Sequence, residues 1–467
     1  LMTLMPIFMS MLVVAFEIRK VEASRTIYIK ADGSVDPPTA PISTIDNVTY
    51  TLTGNINDSI VVERSNIVIN GAGHTVQGSG SGNGLSLSGI SNVRIKKTNI
   101  KGFSYGINLY ASSNNNISGN NIAENVWRGI WLYLSSNNII SGNNIVNNMY
   151  GISPYISSNN NSIHGNNIVN NKFGMWLYLS SDNNISGNII TENDRGIMLG
   201  GSFDNNISGN NIWDNDNGIW IEYSFENTIC GNQITKCTSY SMRFYDSSNH
   251  SISHNNFVNN TCQIYAYNSV NTWNDGYPSG GNYWSNYTGV DLHSGPYQNE
   301  TGSDGIGDTP YVIDSNNTDN YPLQGMFFDF PVDWADRIYH LTTICNSTVS
   351  DFQFGVLFVY PDHAPGPPWT TFILFNVSGD AAGFCRIRIP KDVLDGDYEV
   401  TLDGFSMPSS MWKELPISDN ATLYLYLTYP PDSHKIWIKG TTIIPEFPSF
   451  MICLLYTSPS PRDRTRS

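Results

Sequence analysis

Gly129-Ile-Trp-Leu-Tyr-Leu134 returns as Gly174-Met-Trp-Leu-Tyr-Leu179. In both hexapeptides the aliphatic residues alternate with aromatic ones, a period of two that belongs to strands. The same position recurs at Gly106, Gly129, Gly151, Gly174, Gly196, Gly218 and Tyr240, in steps of 22 or 23 residues. Just after it, Ile107, Ile130, Ile152, Met175, Ile197 and Ile219 form one apolar column, and Leu109, Leu132, Pro154, Leu177, Leu199 and Ile221 form another. Two shorter segments add Ile117, Ile140, Ile163, Ile185, Ile207, Ile229 and Ile252, then Ile122, Ile145, Ile168, Ile190, Ile212, Ile234 and Phe257. One coil cannot bury such residues alone, so coils must stack. Inward ridges separated by turns imply three faces, and parallel crossovers are almost always right-handed. The expectation is an all-β chain, a right-handed parallel β-helix of 22–23-residue coils.

Stacking sets equivalent residues about 4.8 Å apart. Asn120, Asn143, Asn166, Asn188, Asn210, Asn232 and Asn255 then read as an amide ladder at one corner, each side chain bonded to the next. Asn also tolerates the left-handed backbone of a tight corner. Asn125, Asn148, Asn171, Asn193 and Asn215 form a second ladder, which Cys237 interrupts. Helical solenoids need long runs of period 3.6, and the leucine-rich repeat needs its own Leu spacing; neither pattern is present.

Outward from the coils, six β-prone runs lie at Phe354–Tyr360, Thr371–Val377, Cys385–Ile389, Tyr398–Leu402, Leu423–Tyr429 and Lys435–Ile438, divided by Pro and Gly clusters. Their spacing suggests a small antiparallel β-sandwich after the helix. The segments are 1–23 signal peptide with a truncated start, 24–270 helix with its entry, 271–324 exit cap, 325–443 sandwich, 444–452 stalk, and 453–467 tail. The uncharged run Leu4 to Phe16 followed by Val21-Glu-Ala23 gives the secretory reading. A secreted chain admits disulfides, and Cys345 with Cys385 and Cys237 with Cys262 are the pairings to test. Many Asn-x-Ser/Thr sequons occur, including Asn47, Asn286, Asn299, Asn346, Asn376 and Asn420, and are potential glycan acceptors in that setting.

The Asn-Asn-Ile-Ser-Gly-Asn-Asn-Ile coils resemble the NosD-like family of periplasmic and archaeal surface β-helix proteins. Thr26-Ile-Tyr-Ile-Lys-Ala-Asp-Gly-Ser34 and Ile67-Val-Ile-Asn-Gly-Ala-Gly-His-Thr-Val76 are similar to its entry and first coils. Asn282-Tyr-Trp-Ser-Asn-Tyr287, Asp304-Gly-Ile-Gly-Asp-Thr-Pro-Tyr311 and Tyr321-Pro-Leu323 look like its exit cap, so the resemblance runs from Thr26 to Leu323. Ile444-Pro-Glu-Phe-Pro-Ser-Phe450 resembles the stalk before a C-terminal membrane helix, which implies an extracellular, surface-displayed protein whose anchor is missing here. Cys453 to Ser467 resembles a translated sequencing adapter and is set aside. The family name implies a copper-binding accessory role. Against it, His250 and His254 are four apart with no further soft ligand converging, and both read equally as turn residues.

A net charge of −16 with only 14% charged residues makes a poor nucleic-acid binder, because phosphate contacts need cations. Trp131, Trp176 and Trp220, with Tyr110, Tyr133, Tyr155 and Tyr178, alternate with core positions and should point outward. Rings so placed suit sugars, since pyranose C–H faces pack on aromatic faces. Covering by another segment is the competing explanation. Asp182, Asp204 and Glu226 share one turn position in consecutive coils, and Glu192, Asp194, Asp214 and Asp216 cluster at another corner. Such carboxylates could act as acid and base in a polysaccharide lyase or glycoside hydrolase, could hold Ca²⁺, or could be solvated turn residues. Asp304 and Asp308, spaced by Gly-Ile-Gly, are the other Ca²⁺ candidates, with a plain glycine turn as the alternative. The leading reading is a non-catalytic protein that contacts a polysaccharide or cell-envelope glycan through the aromatic columns. The alternatives are the lyase or hydrolase and the copper accessory protein.

Overall fold

The computed structural model describes residues 26–358, 369–394 and 398–440. The signal-peptide, stalk, missing-anchor and tail readings lie outside these residues. The chain from Ile27 to Trp284 winds into a parallel β-solenoid whose coils contribute to sheets of 12, 10 and 11 strands among the described residues. The first sheet is built of six-residue strands such as Arg128–Tyr133 and Phe173–Tyr178. The other two use three-residue strands such as Ile139–Ser141 and Asn144–Val146. Ile130, Leu132, Ile140 and Ile145 are fully buried, and so are their equivalents in every coil through Ile219, Ile221, Ile229 and Ile234.

Each corner pairs a residue of left-handed backbone with a following residue that points inward. The left-handed residue at the Asn120 corner is the preceding glycine, at Gly119, Gly142, Gly165, Gly187, Gly209 and Gly231, and not the asparagine itself. The division of labour follows from sterics: glycine takes positive φ freely, which leaves the asparagine amide in the rotamer that stacking requires. The ladder is as expected: Asn120 Nδ2 donates to Asn143 Oδ1 at 3.0 Å, and Asn143 Nδ2 to Asn166 Oδ1 at 2.9 Å. The backbone N–H of each rung also donates to the next Oδ1, as from Asn120 to Asn143 at 3.0 Å. The second ladder continues past Cys237, whose N–H donates to Asn260 Oδ1 at 2.9 Å. A third ladder, unforeseen, joins Asn115, Asn138, Asn161, Asn183, Asn205 and Asn227. A serine file from Ser112 through Ser135, Ser158, Ser180 and Ser202 to Ser224 completes the corners.

Glycine opens each coil because a Cβ on Gly129 would lie 2.7 Å from the carbonyl oxygen of Gly151 in the next coil. The last coil departs from the expected start: the residue opposite Gly218 is Ser241 and not Tyr240, since Asn217 pairs with Tyr240 and Ile219 with Met242.

Beyond the cap, two five-stranded antiparallel sheets share one apolar core that includes Ile373, Phe375, Ile387, Leu425 and Ile436. The expected sandwich is there, with an unforeseen opening hairpin, Met326–Trp334 and Arg337–Cys345. Its two central residues, Ala335 and Asp336, both take positive φ without being Gly or Asn, so the usual turn signal is missing. Cys345 and Cys385 are bonded across adjacent strands. The pairing of Cys237 with Cys262 does not form. Cys237 faces the interior at a ladder position, whereas Cys262 stands exposed on an outer strand.

Candidate functional site

The outer face of the first sheet carries three columns of side chains. The first runs Tyr105, Arg128, Tyr150, Phe173, Arg195, Asn217 and Tyr240. The second holds Asn108, Trp131 and Ser153, then Trp176, Met198, Trp220, Arg243 and Tyr265. The third runs Tyr110, Tyr133, Tyr155, Tyr178, Gly200, Glu222, Tyr245 and Tyr267. All seven aromatic residues singled out from sequence stand in these columns, partly exposed, with Tyr110 the most open at 47%.

The rings are packed differently from the arrangement in which faces meet a ligand. Tyr110 and Tyr133 have centroids 5.4 Å apart and planes within 6°, and Tyr155 and Tyr178 follow at 5.0 Å and 23°. Parallel rings this close overlap as an offset stack, so each covers its neighbour's face. The surface therefore presents ring edges and phenol hydroxyls. The indole N–H groups of Trp131 and Trp176 are buried and have no hydrogen-bond partner among the described residues.

The first column went unnoticed in the sequence because its residues precede the glycine taken as the start of each coil. It brings in cations. Arg128 sits with its guanidinium carbon 5.0 Å from the Trp131 ring, 5.1 Å from Tyr150, 5.5 Å from Tyr155 and 5.8 Å from Tyr105. Burial among these rings lowers its pKa from the ordinary arginine value. Arg195 and Arg243 flank Trp220 at 3.8 and 4.0 Å, and Trp220 Nε1 donates to Glu222 Oε1 at 2.6 Å.

Asp194 and Asp216 directly precede Arg195 and Asn217 of the first column, and Asp194 acts electrostatically on Arg195; the other acidic candidates sit elsewhere. Asp182, Asp204 and Glu226 are exposed left-handed residues preceding the third asparagine ladder, in a file that also contains Asn114, Asn137, Asn160 and Asn249. Glu192 and Asp214 hold the matching place before the second ladder. Asp304 and Asp308 lie in the cap, each engaged with protein groups. Asp304 Oδ1 accepts the Ile306 N–H at 3.0 Å, and its Oδ2 faces Gln298 Nε2 at 3.4 Å. Burial raises the Asp304 pKa. Asp308 accepts from the Leu292 and His293 N–H groups and from His293 Nδ1, the last at 2.9 Å. Burial alone would raise its pKa, but the His293 side chain and these N–H groups outweigh that and lower it.

Residues 170–289 match the family model described as periplasmic copper-binding protein (NosD), and residues 27–189 match the right handed beta helix region. Together the two matches span the coil stack, and they support a NosD-like right-handed β-helix there. Comparison with curated proteins gives no significant match. Among solved structures, the tailspike of E. coli bacteriophage HK620, in complex with a pentasaccharide, is similar at 10% identity over 84% of this chain and 83% of that one, with a TM-score of 0.38. The A-module of the Azotobacter vinelandii mannuronan C-5 epimerase AlgE6 shares 12% over 49% and 82%, with a TM-score of 0.33. Pectate lyase Pel9A shares 14% over 48% and 69%, also at 0.33.

The NosD description raises copper, and the side chains can be tested for it. Cys230 Sγ lies 3.7 Å from His254 Nδ1, because Cys230 pairs with Ser253 across adjacent coils. Burial raises the Cys230 thiol pKa and lowers that of His254, so both favour their neutral forms. No group of three or more His, Cys, Asp or Glu is arranged to hold a metal among the described residues. Two soft ligands fall short of a copper site. His250, the other histidine, occupies a rung of the third ladder and His254 a left-handed corner, both buried, so the expectation of ordinary turn residues holds only for His254.

Proposed function

We propose that this NosD-like helix is a non-catalytic carbohydrate-binding protein of the cell envelope or surface, and that the outer face of its first sheet is the contact surface. The observation that carries this reading is the continuity of that face: partly exposed aromatic side chains follow one another from Tyr105 to Trp176 and from Trp220 to Tyr267. Contiguous exposed aromatic surface of this extent usually marks an interaction. Phenol hydroxyls beside apolar ring edges match the alternation of hydroxyl and C–H groups around a sugar. One coil rise, about 4.8 Å, is close to the length of one pyranose in an extended chain, so a glycan lying along the axis would meet equivalent groups at each unit. A location outside the cytoplasm is supported by the Cys345–Cys385 disulfide and by the periplasmic family description.

A glycan array probed with the wild-type chain and with the Trp131→Ala/Trp176→Ala variant tests this. Retention of a defined glycan set by the wild type, lost in the variant at unchanged thermal stability, is the expected result. Equal retention by both, or none by the wild type, would remove the aromatic face from the function.

A further inference from the structure

We propose that the ligand of this face is an acidic polysaccharide, whose carboxylate or sulfate groups pair with Arg128 and with the two arginines flanking Trp220. The inference rests on the carbohydrate reading above and adds the charge class of the glycan.

The sign of the face differs from that of the chain. The full sequence carries −16, yet the ionised side chains on the three columns are Arg128, Arg195, Arg243 and Glu222. None of the three arginines forms an ion pair with a carboxylate among the described residues. Arg128 is the clearest case. Its guanidinium is half-buried inside four aromatic rings, and its side-chain contacts are uncharged: Nε faces Ser153 Oγ at 3.4 Å, and its electrostatic neighbours are the hydroxyls of Tyr105, Tyr150 and Tyr155. Cation–π contact offsets part of the desolvation of such a charge, and a bidentate anion offsets more. The planar fork of N–H donors matches a carboxylate or sulfate.

Around Trp220 two guanidinium groups share one indole, and Glu222 is tied to that indole N–H. Glu222 acts electrostatically on Arg195. Asp194, the residue before Arg195, acts on it as well, so this cluster sets two carboxylates beside two guanidinium groups, whereas only uncharged groups act on Arg128.

Spacing selects a polymer. Arg195 lies three coils beyond Arg128, and Arg243 two coils further. At about 4.8 Å per coil the first step is about 14 Å, beyond the reach of one small anion and suited to charges repeated along a chain, while the Arg195 and Arg243 guanidinium groups converge on the one Trp220 ring. Nucleic acid fits less well, because single strands bind by stacking bases on open ring faces, and here the rings cover one another. Repulsion from the rest of the acidic chain is screened within about 8 Å at physiological ionic strength, so contact at the face decides.

Binding of the full chain to immobilised polygalacturonate, to chondroitin sulfate, to neutral dextran and to an oligodeoxynucleotide tests the proposal, with the uronate and sulfate arms separating the two sources of charge. The expected result is binding to at least one acidic polysaccharide, weakened as salt rises from about 0.1 to about 1 M. Arg128→Gln/Arg243→Gln should weaken it roughly tenfold or more, with the melting transition unchanged. Arg128→Lys, which keeps charge but not the planar fork, should fall between. Binding to dextran as strong as to the acidic polymers, and indifferent to Arg128→Gln, would overturn the acidic assignment and leave the carbohydrate reading standing. Binding to the oligodeoxynucleotide alone, or to none of the four together with a blank glycan array, would overturn both.

Discussion

The corners of the coils and the outer face of the first sheet belong to the same residues-per-turn frame and obey opposite rules. At the Asn120 corner one residue type fills seven coils, and Asn282 of the cap extends the file by accepting from Asn255. At the Arg128 position the successive occupants are Tyr150, Phe173, Arg195, Asn217, Tyr240 and Cys262. A corner side chain has its own copy one coil away as its partner, so changing one rung strands two neighbours. An outer side chain has no such obligation, and its identity is free to answer to something outside the stack. Asn166→Ala should break this contrast most severely. Asn166 accepts from the N–H and Nδ2 of Asn143, and donates to Ile140 O and Asn188 Oδ1, all at 3.0 Å or less. With two or more buried groups left unpaired, the loss should be about 4 kcal/mol, read as a lower urea midpoint. A loss no greater than that of an outer-face change such as Tyr155→Phe would dissolve the distinction.

The chain also contains a natural exception at a corner. His250 stands where the third ladder calls for asparagine: its Nδ1 accepts the Asn227 N–H at 3.0 Å, and its backbone N–H donates to Asn271 Oδ1 at 3.0 Å. An accepting Nδ1 requires the neutral ring. Burial holds the His250 pKa at about 4, against an ordinary value of about 6.5. The folded chain thus takes up this proton later than the unfolded chain. Stability from this site is complete above the unfolded pKa and declines as pH falls from about 6.5 towards about 4, by on the order of 3 kcal/mol in all. His250→Asn should restore the amide rung and flatten that decline, which melting transitions at neutral pH and near the lower end of the window would compare. An unchanged slope in the variant would place the acid sensitivity elsewhere.

What could be read in the sequence follows the same division. The isoleucine columns and the Asn120 and Asn125 ladders were legible because a residue whose partner is its own repeat announces itself by its offset. The third ladder was not, since Asn115 sits between Asn114 and Asn116 and offers no contrast. The arginine column was hidden because no shared residue type marks it, and its chemistry emerges only when rings from neighbouring coils close around each guanidinium. The hairpin at Ala335 and Asp336 and the separation of Cys237 from Cys262 depend on backbone sign and side-chain direction.

The smallest expected effect lies where the two rules meet, at the edge of the aromatic face. Leu134, Ile156, Leu179 and Tyr223 take φ between 45° and 51° at the corner beside the tyrosine column, and Leu134, Leu179 and Tyr223 are 40%, 46% and 57% exposed. Equivalent coils place Gly201, Asp246 or Asn268 there, residues that adopt this backbone at less expense. Bulky apolar residues in a left-handed conformation cost on the order of 1 kcal/mol each, and exposure returns little of it. Leu179→Asn should therefore stabilise the isolated chain by about 1 kcal/mol while weakening any ligand that extends over the edge of the face. Urea unfolding and binding to the acidic polymer, measured on the same variant, separate the two terms. A gain in stability with no change in binding would confine the contact surface to the three columns, whereas a loss of stability would mean that Leu179 is held by packing over Gly201, whose Cα its side chain overhangs closely enough to sit 2.7 Å from a Cβ placed there.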